Sequence, residues 1–127
     1  MKGYLIDVTN KENYVYGTVE FEEKLSNLYE LINCRLIDIV RDVNINGVTC
    51  DIVVDDEGLL TDNPIPTAVC LNVENYRLYG NLLIVRSNAE GGMEGLSNFE
   101  ASTIEKWIHV LTDPSGIFPR LAFEINR

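Results

Sequence analysis

The sequence INGVTCDIVVD, residues 45–55, predicts a β-hairpin in the middle of the chain. Asn46-Gly47 is the pair best able to occupy two neighbouring positions at positive φ, as a type I′ turn requires, and β-branched residues flank it. Alternation along the second strand separates an apolar face from a polar face. The apolar face carries Val48, Cys50, Ile52 and Val54, and the polar face carries Thr49, Asp51 and Asp55, with Val53 as the one exception. We expect the apolar face in the core and the polar face in water or against a partner.

The composition is typical of one soluble globular domain spanning residues 1–127. Its hydrophobic fraction is 46%, and 127 residues suffice to bury one core without a metal or a disulfide. The longest apolar runs, such as Leu82–Val85, are far shorter than the roughly 20 residues of a membrane-spanning helix, and Met1-Lys2-Gly3-Tyr4 leads into a strand-like segment without the apolar region expected of a signal peptide. Cys34, Cys50 and Cys70 are widely spaced among apolar residues, which indicates buried thiols. These features predict a cytoplasmic location.

The net charge of −10 bears on the partners that the surface accepts. A field of this sign repels phosphate backbones, so direct binding to nucleic acid is disfavoured. One interpretation is a negative surface that competes for a basic groove on another protein, including a groove that normally holds DNA or RNA. The other is a surface whose charge only keeps the protein soluble. Both interpretations stay open at the level of the sequence.

Strand and helix patterns precede the hairpin. Tyr4–Val8 and the short run Tyr14–Tyr16 have the composition of strands and are expected to pair with each other. A helical period from about Glu23 to Ile32 predicts an amphipathic helix. Leu36–Val43 suits either a helix or a strand, and we favour the strand because the Asn46-Gly47 turn needs a partner for its second arm.

Three segments follow the hairpin before the last helix. The segment Leu59–Pro66 contains two close prolines within Asn63–Pro66, which exclude a regular helix and a central strand, so this segment is expected to be an ordered loop. Ala68–Val73 suits one helical turn or a short strand. Leu82–Val85 is apolar without alternation, which is typical of a strand buried on both faces in the centre of a sheet.

The C-terminal part completes the predicted fold. Ser97 and Glu100 have the spacing of a capping box, which predicts a helix from Asn98 to Leu111 that ends at Asp113–Gly116. Alternation from Leu121 to Ile125 predicts a last strand. We therefore expect a single α+β domain with a mostly antiparallel sheet and two principal helices that cover one of its faces.

The order of several short motifs resembles a known family. The motifs follow an N-terminal strand and a helix in the chain, and they are Leu36–Val40, Ile52–Leu60, Asn63-Pro64, Tyr79–Val85 and Gly95-Leu96-Ser97. Together they resemble the family catalogued as domain of unknown function 3846, over roughly Tyr4–Leu111. The resemblance implies a small cytoplasmic α+β protein of unassigned function, encoded largely by bacteriophages, plasmids and other mobile elements. It supplies no catalytic residues, and the extra strand within Arg120–Arg127 departs from its pattern.

Four acidic residues are the first candidate functional feature. Asp51, Asp55, Asp56 and Glu57 lie on the polar face of the predicted strand and in the turn that follows it. Several carboxylates are what a hard cation requires, but this spacing matches no calcium-loop pattern, and Asp-Asp-Glu-Gly is also ordinary turn chemistry. The cluster is therefore predicted to face a protein partner, with no metal assigned.

The glycine-rich loop is the second candidate feature. Gly91, Gly92 and Gly95 lie between a strand and a helix, where backbone N–H groups bind phosphate in nucleotide-binding loops. The loop lacks the lysine of a P-loop and carries two glutamates, which repel phosphate. No motif surrounds His109 or the cysteines, so no catalytic, cofactor or metal residues are assigned.

Two functions are therefore expected from the sequence. The first is a non-enzymatic accessory protein of a phage or mobile element that binds an unidentified protein partner through its acidic surface. The alternative is a small nucleotide- or ligand-binding module, or a small enzyme, centred on the Gly91–Gly95 loop. The oligomeric state is left open.

Overall fold

The computed structural model describes residues 1–9, 15–58, 66–70, 72–74, 76–111 and 123–126. The strands are β1 (Lys2–Asp7), β2 (Val15–Glu20), β3 (Ile37–Ile45), β4 (Val48–Asp55), β5 (Pro66–Cys70), β6 (Arg77–Tyr79), β7 (Leu82–Ser87), β8 (Met93–Glu94) and β9 (Phe123–Ile125). The helices are α1 (Leu25–Ile32) and α2 (Asn98–Leu111). The α+β fold class is confirmed. Predictions for Tyr14, for the loop at 59–65, for the helix end at 113–116 and for Leu121 lie outside the described residues.

The main sheet is antiparallel and has the order β2-β1-β7-β4-β3, with β8 paired to the end of β7. Its central strand is β7, in which Ile84 lies opposite Tyr4 of β1 on one side and Ile52 of β4 on the other. All four residues of Leu82–Val85 are fully buried. The prediction of a central strand buried on both faces is therefore confirmed.

The β3–β4 hairpin forms at the predicted turn. Ile45 pairs with Val48, and the two residues between them have φ values of 48° at Asn46 and 91° at Gly47. Two successive positive φ values are the signature of a type I′ turn, whose twist matches that of the strands. The N–H of Gly47 also donates a hydrogen bond to Oδ1 of Asn44, at 3.0 Å. Ile37–Val43 accordingly lies in β3, as favoured for this segment, and Leu36 directly precedes the strand.

A second sheet of three strands has the order β6-β5-β9. The strand alternative for Ala68–Val73 is the correct one as far as Cys70, because β5 spans Pro66–Cys70. The loop prediction is wrong at Pro66, which is the first residue of this middle strand, a position where proline is tolerated. The predicted C-terminal strand is present as β9, which runs parallel to β5 with Phe123 opposite Ala68. Among the strands of the described residues this pair is the parallel exception, and β9 belongs to the second sheet and not to the main sheet.

The two helices begin and end close to the predicted residues. In α2 the capping box is formed, because the N–H of Glu100 donates to Oγ of Ser97 at 3.1 Å and the N–H of Ser97 donates to Oε1 of Glu100 at 2.8 Å. In α1 the N-cap residue is Lys24, whose side chain makes no capping hydrogen bond. Asn33 is the C-cap residue that follows α1, and it adopts the left-handed conformation with φ 58°.

The expectation that both helices cover one face of the sheet is wrong, because they pack on opposite faces. Adjacent residues of a strand point to opposite sides. On one side of the sheet Ile52 and Ile84 share a buried cluster with Ile104 of α2. On the other side Val53 and Leu83 share a separate cluster that includes residues of α1. Since the central strands are apolar on both sides, each side needs its own cover.

The side of the main sheet that packs against α2 is called the α2 face, and the side that packs against α1 is called the α1 face. The α2 face is covered by α2 and by the second sheet, whose strands contribute Ala68, Cys70, Leu78 and Ile125 to its cluster. The α1 face is covered by the two turns of α1, and its buried cluster consists of Phe21, Leu28, Ile32, Val53, Leu83, Val85 and Met93. Within the described residues, neither helix is both long and apolar enough to cross a membrane.

Candidate functional site

Most of the residues predicted to have a function lie on or beside the α1 face. Asp51 and Asp55 alternate with Val53 along β4, so all three side chains point to this side of the sheet. The glycine-rich loop adjoins Met93, which is buried in the α1-face cluster. The fold therefore brings two features together that are separated in the sequence.

Asp51 is enclosed and is not exposed to water. Only 1% of the residue is accessible, and its Oδ1 accepts a hydrogen bond from the N–H of Asp42 at 3.1 Å. Its Oδ2 lies 3.3 Å from Nη1 of Arg41. A β-bulge between Val40 and Val43 places Asp42 there with a φ of 55°. The expectation of a wet polar face is therefore wrong at Asp51, because alternation along β4 carries no information about the bulge in β3.

The remaining three acids form one turn at the end of β4, which is called the acidic turn (Asp55, Asp56 and Glu57). Asp55 is half-buried and its Oδ1 accepts the N–H of Glu57 at 2.9 Å. Glu57 makes two hydrogen bonds with the guanidinium of Arg35, at 2.6 and 2.8 Å, and these lower the pKa of its carboxyl. Asp56 is exposed, and its N–H donates to the backbone oxygen of Leu36 at 3.0 Å. Asp56 therefore presents its charge to solvent.

Two cysteines lie near these carboxylates and are held in the protonated form. Burial raises the pKa of Cys34, and the charges of Asp55 and Glu57 raise it further. Burial raises the pKa of Cys50 to about 12, with a contribution from Asp51. A nucleophilic or metal-binding cysteine needs a lowered pKa, so this environment disfavours both roles. In the part of the chain that the structure describes, no group of three or more His, Cys, Asp or Glu residues is placed to hold a metal ion.

The glycine-rich loop is an ordered turn whose donors already have acceptors within the chain. Oδ1 of Asn88 accepts the N–H groups of Glu90 and Gly92, at 3.0 and 2.8 Å, and the backbone oxygen of Asn88 accepts that of Gly91, at 3.1 Å. The N–H of Met93 donates to Oε1 of Glu23 at 2.9 Å. A phosphate at this turn would have to displace these acceptors.

Gly95 lies apart from that turn and serves packing. A Cβ atom at this position would approach the backbone nitrogen of Lys2 to 2.9 Å, so a larger residue would push β1 away. The three glycines of the predicted ligand loop are therefore not one cradle: Gly91 and Gly92 belong to the turn, and Gly95 lies against the start of β1.

Arg41 joins the two candidate features and was missed by the sequence-based reasoning. Its Nη1 lies 3.3 Å from Oδ2 of Asp51 and also 3.3 Å from the backbone oxygen of Gly91. The guanidinium thus bridges the buried carboxylate to the glycine-rich turn. Gly91 is 50 residues away in the chain, and no motif around Arg41 marks it as a bridging residue.

Asn81 is a second residue that the sequence did not reveal, and its role is structural. It is buried, its Oδ1 accepts the N–H of Val8 at 2.7 Å, and its Nδ2 donates to Oγ1 of Thr9 and to the backbone oxygen of Ile32. These bonds join the end of β1, the end of α1 and the start of β7. A glycine-asparagine pair before an apolar run also fits an ordinary turn, so the pattern did not distinguish this network.

Three apolar residues stand near the acidic turn: Leu36, Ile37 and Ile39. Leu36 is 48% exposed, a high value for a large aliphatic side chain. Ile37 and Ile39 are half-buried at the margin of the α1-face cluster, and Ile37 lies opposite Asp55. The N–H of Asp56 donates to the backbone oxygen of Leu36, which continues the pairing of Ile37 with Asp55, so Leu36 lies on the opposite side of the sheet from Ile37 and Ile39.

Comparison with known protein families gives a match over most of the chain. The family model Domain of unknown function (DUF3846) matches residues 1–109. Neither the curated proteins nor the solved structures contain a match to this chain.

Proposed function

We propose that this chain, which belongs to the family Domain of unknown function (DUF3846), is a non-enzymatic accessory protein of a phage or mobile element. In this proposal it acts in the cytoplasm of the bacterial or phage-infected cell by binding a host or phage protein through an acidic surface. The observation that carries the proposal is the acidic turn beside exposed Leu36, because recognition surfaces combine apolar contact with charged groups at the rim.

Charge supports this proposal through the kinetics of encounter. A chain with a net charge of −10 attracts a basic surface over distances comparable to the Debye length, which is about 8 Å at physiological ionic strength. Exposed carboxylates at the docking surface mainly raise the association rate, and they change the dissociation rate less. The same field disfavours direct contact with nucleic acid.

The alternative, a small ligand-binding module at the glycine-rich turn, receives less support. Its N–H donors are engaged by Asn88 and Glu23, so an anionic ligand gains only the difference between its own bonds and those it displaces. A thermal-shift screen with nucleotides and divalent ions tests it directly. A specific ligand at 100 times its dissociation constant adds roughly 2.7 kcal/mol to the free energy of unfolding.

The test of the main proposal is capture of a partner from native host or phage-infected cells, followed by measurement of its association rate. Asp56→Lys is the informative variant, because Asp56 is exposed, whereas Asp55 holds the N–H of Glu57. Glu74→Lys, exposed in the segment between β5 and β6, is the matched control with the same change in charge. We expect Asp56→Lys to slow association clearly more than Glu74→Lys, and the difference to shrink as salt is added.

Two outcomes contradict the proposal in different ways. Equal slowing by both substitutions would mean that only the total charge matters and that the acidic turn has no special place. No slowing by either would leave the charge with a role in solubility alone.

A further inference from the structure

We propose that Asn46 is a site of spontaneous deamidation and that the side chain of Asn44 slows the reaction by holding the N–H of Gly47. This inference is independent of the proposed function. It concerns the turn of the β3–β4 hairpin, where an asparagine is followed directly by a glycine and both residues are exposed.

Deamidation at an Asn-Gly pair proceeds with water as the only co-reactant. A base in the solvent removes the proton of the Gly47 amide, and the nitrogen attacks Cγ of the Asn46 side chain. A C–N bond forms and closes a five-membered succinimide, and the carboxamide nitrogen of Asn46 leaves as ammonia. Water then opens the ring at either carbonyl, which gives aspartate or isoaspartate at position 46. Glycine favours the attack because it has no Cβ atom to hinder the approach of the two groups.

The turn presents both reacting groups to water. Asn46 and Gly47 are exposed, and a Cβ atom added to Gly47 would meet nothing within 4 Å. Ile45 and Val48 pair with each other at the end of the hairpin. In a two-residue turn of this kind the ladder bonds run between the flanking residues and do not include the N–H of the second turn residue. Without a further contact, the nitrogen of Gly47 would be open to base.

Asn44 supplies that contact. Its Oδ1 accepts the N–H of Gly47 at 3.0 Å. The backbone of Asn44 is itself held in place, because it pairs with Thr49 of β4 and exchanges two hydrogen bonds with Asn126, at 2.7 and 3.0 Å. A proton in such a bond is removed by a solvent base only after the bond opens, as in amide hydrogen exchange. We therefore expect the reaction at Asn46 to be slow in the folded hairpin.

The two products differ in their effect on the hairpin. Aspartate at position 46 keeps the length of the backbone, tolerates the φ of 48° found there and adds one negative charge. Isoaspartate leads the chain through the former side chain and adds one carbon atom to the backbone. Since a type I′ turn is closed by two residues, this product no longer matches the pairing of Ile45 with Val48, which are both buried in the α2-face cluster. Deamidation that gives isoaspartate therefore destabilises the hairpin.

The test compares deamidation rates at position 46 by mass spectrometry of proteolytic peptides, after the folded protein has been incubated at mildly alkaline pH. Asn44→Ala removes the acceptor and should speed the reaction roughly fivefold, the factor that corresponds to one ordinary hydrogen bond. Asn44→Asp keeps an oxygen that accepts the N–H and should stay close to the native rate. Leu28→Ala, in the cluster on the α1 face, controls for a general loss of stability and should also stay close to the native rate.

Incubation in concentrated urea completes the test, because the hydrogen bond exists only in the folded hairpin. There the native protein and Asn44→Ala should react at one common rate, which is faster than that of the folded native protein. Equal rates for the two folded proteins would overturn the role of Asn44, and the absence of any reaction at position 46 in both would overturn the site itself. An equal increase in Leu28→Ala and Asn44→Ala would show that general unfolding sets the rate, which overturns the inference as well.

Discussion

The α2 face and the α1 face belong to one sheet, and the first is covered by more of the chain. On the α2 face the 14-residue helix and a second sheet lie over the central strands. On the α1 face the cover is a helix of 8 residues. At 1.5 Å per residue that helix is about 12 Å long and about 10 Å wide. Five strands spaced about 4.8 Å apart span about 19 Å, so α1 leaves apolar side chains uncovered at the margins.

This difference leaves partly exposed apolar side chains at one margin of the α1 face. Leu82–Val85 in the central strand is buried on both sides of the sheet, so each face needs an element packed over this strand. The outer strands of the sheet do not have the same requirement. The incompletely covered face is also where Asp51, Arg41 and the glycine-rich turn meet. Predicted sites and residual apolar surface therefore coincide on one side of the molecule.

The largest expected effect compares one core residue from each face. Ile104→Ala on the α2 face should lower the free energy of unfolding by about 3–5 kcal/mol, and Leu28→Ala on the α1 face by about 2–3 kcal/mol. Both residues are buried, at 0% and 2% exposure, but the short helix α1 is freer to move into the cavity than the elements that enclose Ile104. Urea denaturation of both variants provides the measurement. If Leu28→Ala lowers the free energy of unfolding as much as Ile104→Ala or more, α1 does not relax into the cavity more easily than the elements around Ile104.

A smaller effect is expected where the second sheet meets the main sheet. A Cβ atom at Gly58 would lie 2.6 Å from the backbone oxygen of Tyr79 in β6, so Gly58→Ala should cost about 1–3 kcal/mol. Gly17→Ala in β2 is the control, because a Cβ atom there meets nothing within 4 Å. It should be neutral or stabilise by up to about 1 kcal/mol. Thermal unfolding of the pair measures both, and an equal loss in the two variants would show that the contact with Tyr79 relaxes without cost.

The smallest effect concerns the two helix starts. Ser97→Ala removes the capping bond of α2 and should cost about 1 kcal/mol, whereas Lys24→Ser offers α1 a cap that it lacks and should stabilise by about 0.5–1 kcal/mol. Chemical denaturation distinguishes these opposite signs. A loss of stability in both variants would mean that a serine at position 24 does not cap α1.

The capping box of α2 also predicts a pH dependence. Burial raises the pKa of Glu100, but the hydrogen bonds from Ser97 and the charge of Arg86 lower it more, so the pKa lies below its ordinary value. The carboxylate therefore contributes stability above the unfolded pKa of about 4.3, and this contribution is lost as pH falls through the folded pKa. The difference in stability between the native protein and Glu100→Gln should shrink in acid. A constant difference would show that the charge has no part in the cap.

The sequence by itself determined the elements whose signals are local. Asn46-Gly47 specified a turn because few residues tolerate positive φ, and Ser97 with Glu100 specified the start of α2 because capping needs only one turn of chain. The unbroken apolar run at Leu82–Val85 marked the central strand in the same way. Each of these signals depends on residues within a few positions of one another.

Only the tertiary structure decided which distant residues meet. It placed the two helices on opposite faces, paired β9 with β5, buried Asp51 behind a bulge in β3 and set Arg41 between Asp51 and the glycine-rich turn. The packing of one element against another depends on how much apolar area each covers and on bulges that shift the register. These quantities arise from contacts between residues far apart in the chain, so no local pattern of residue types contains them.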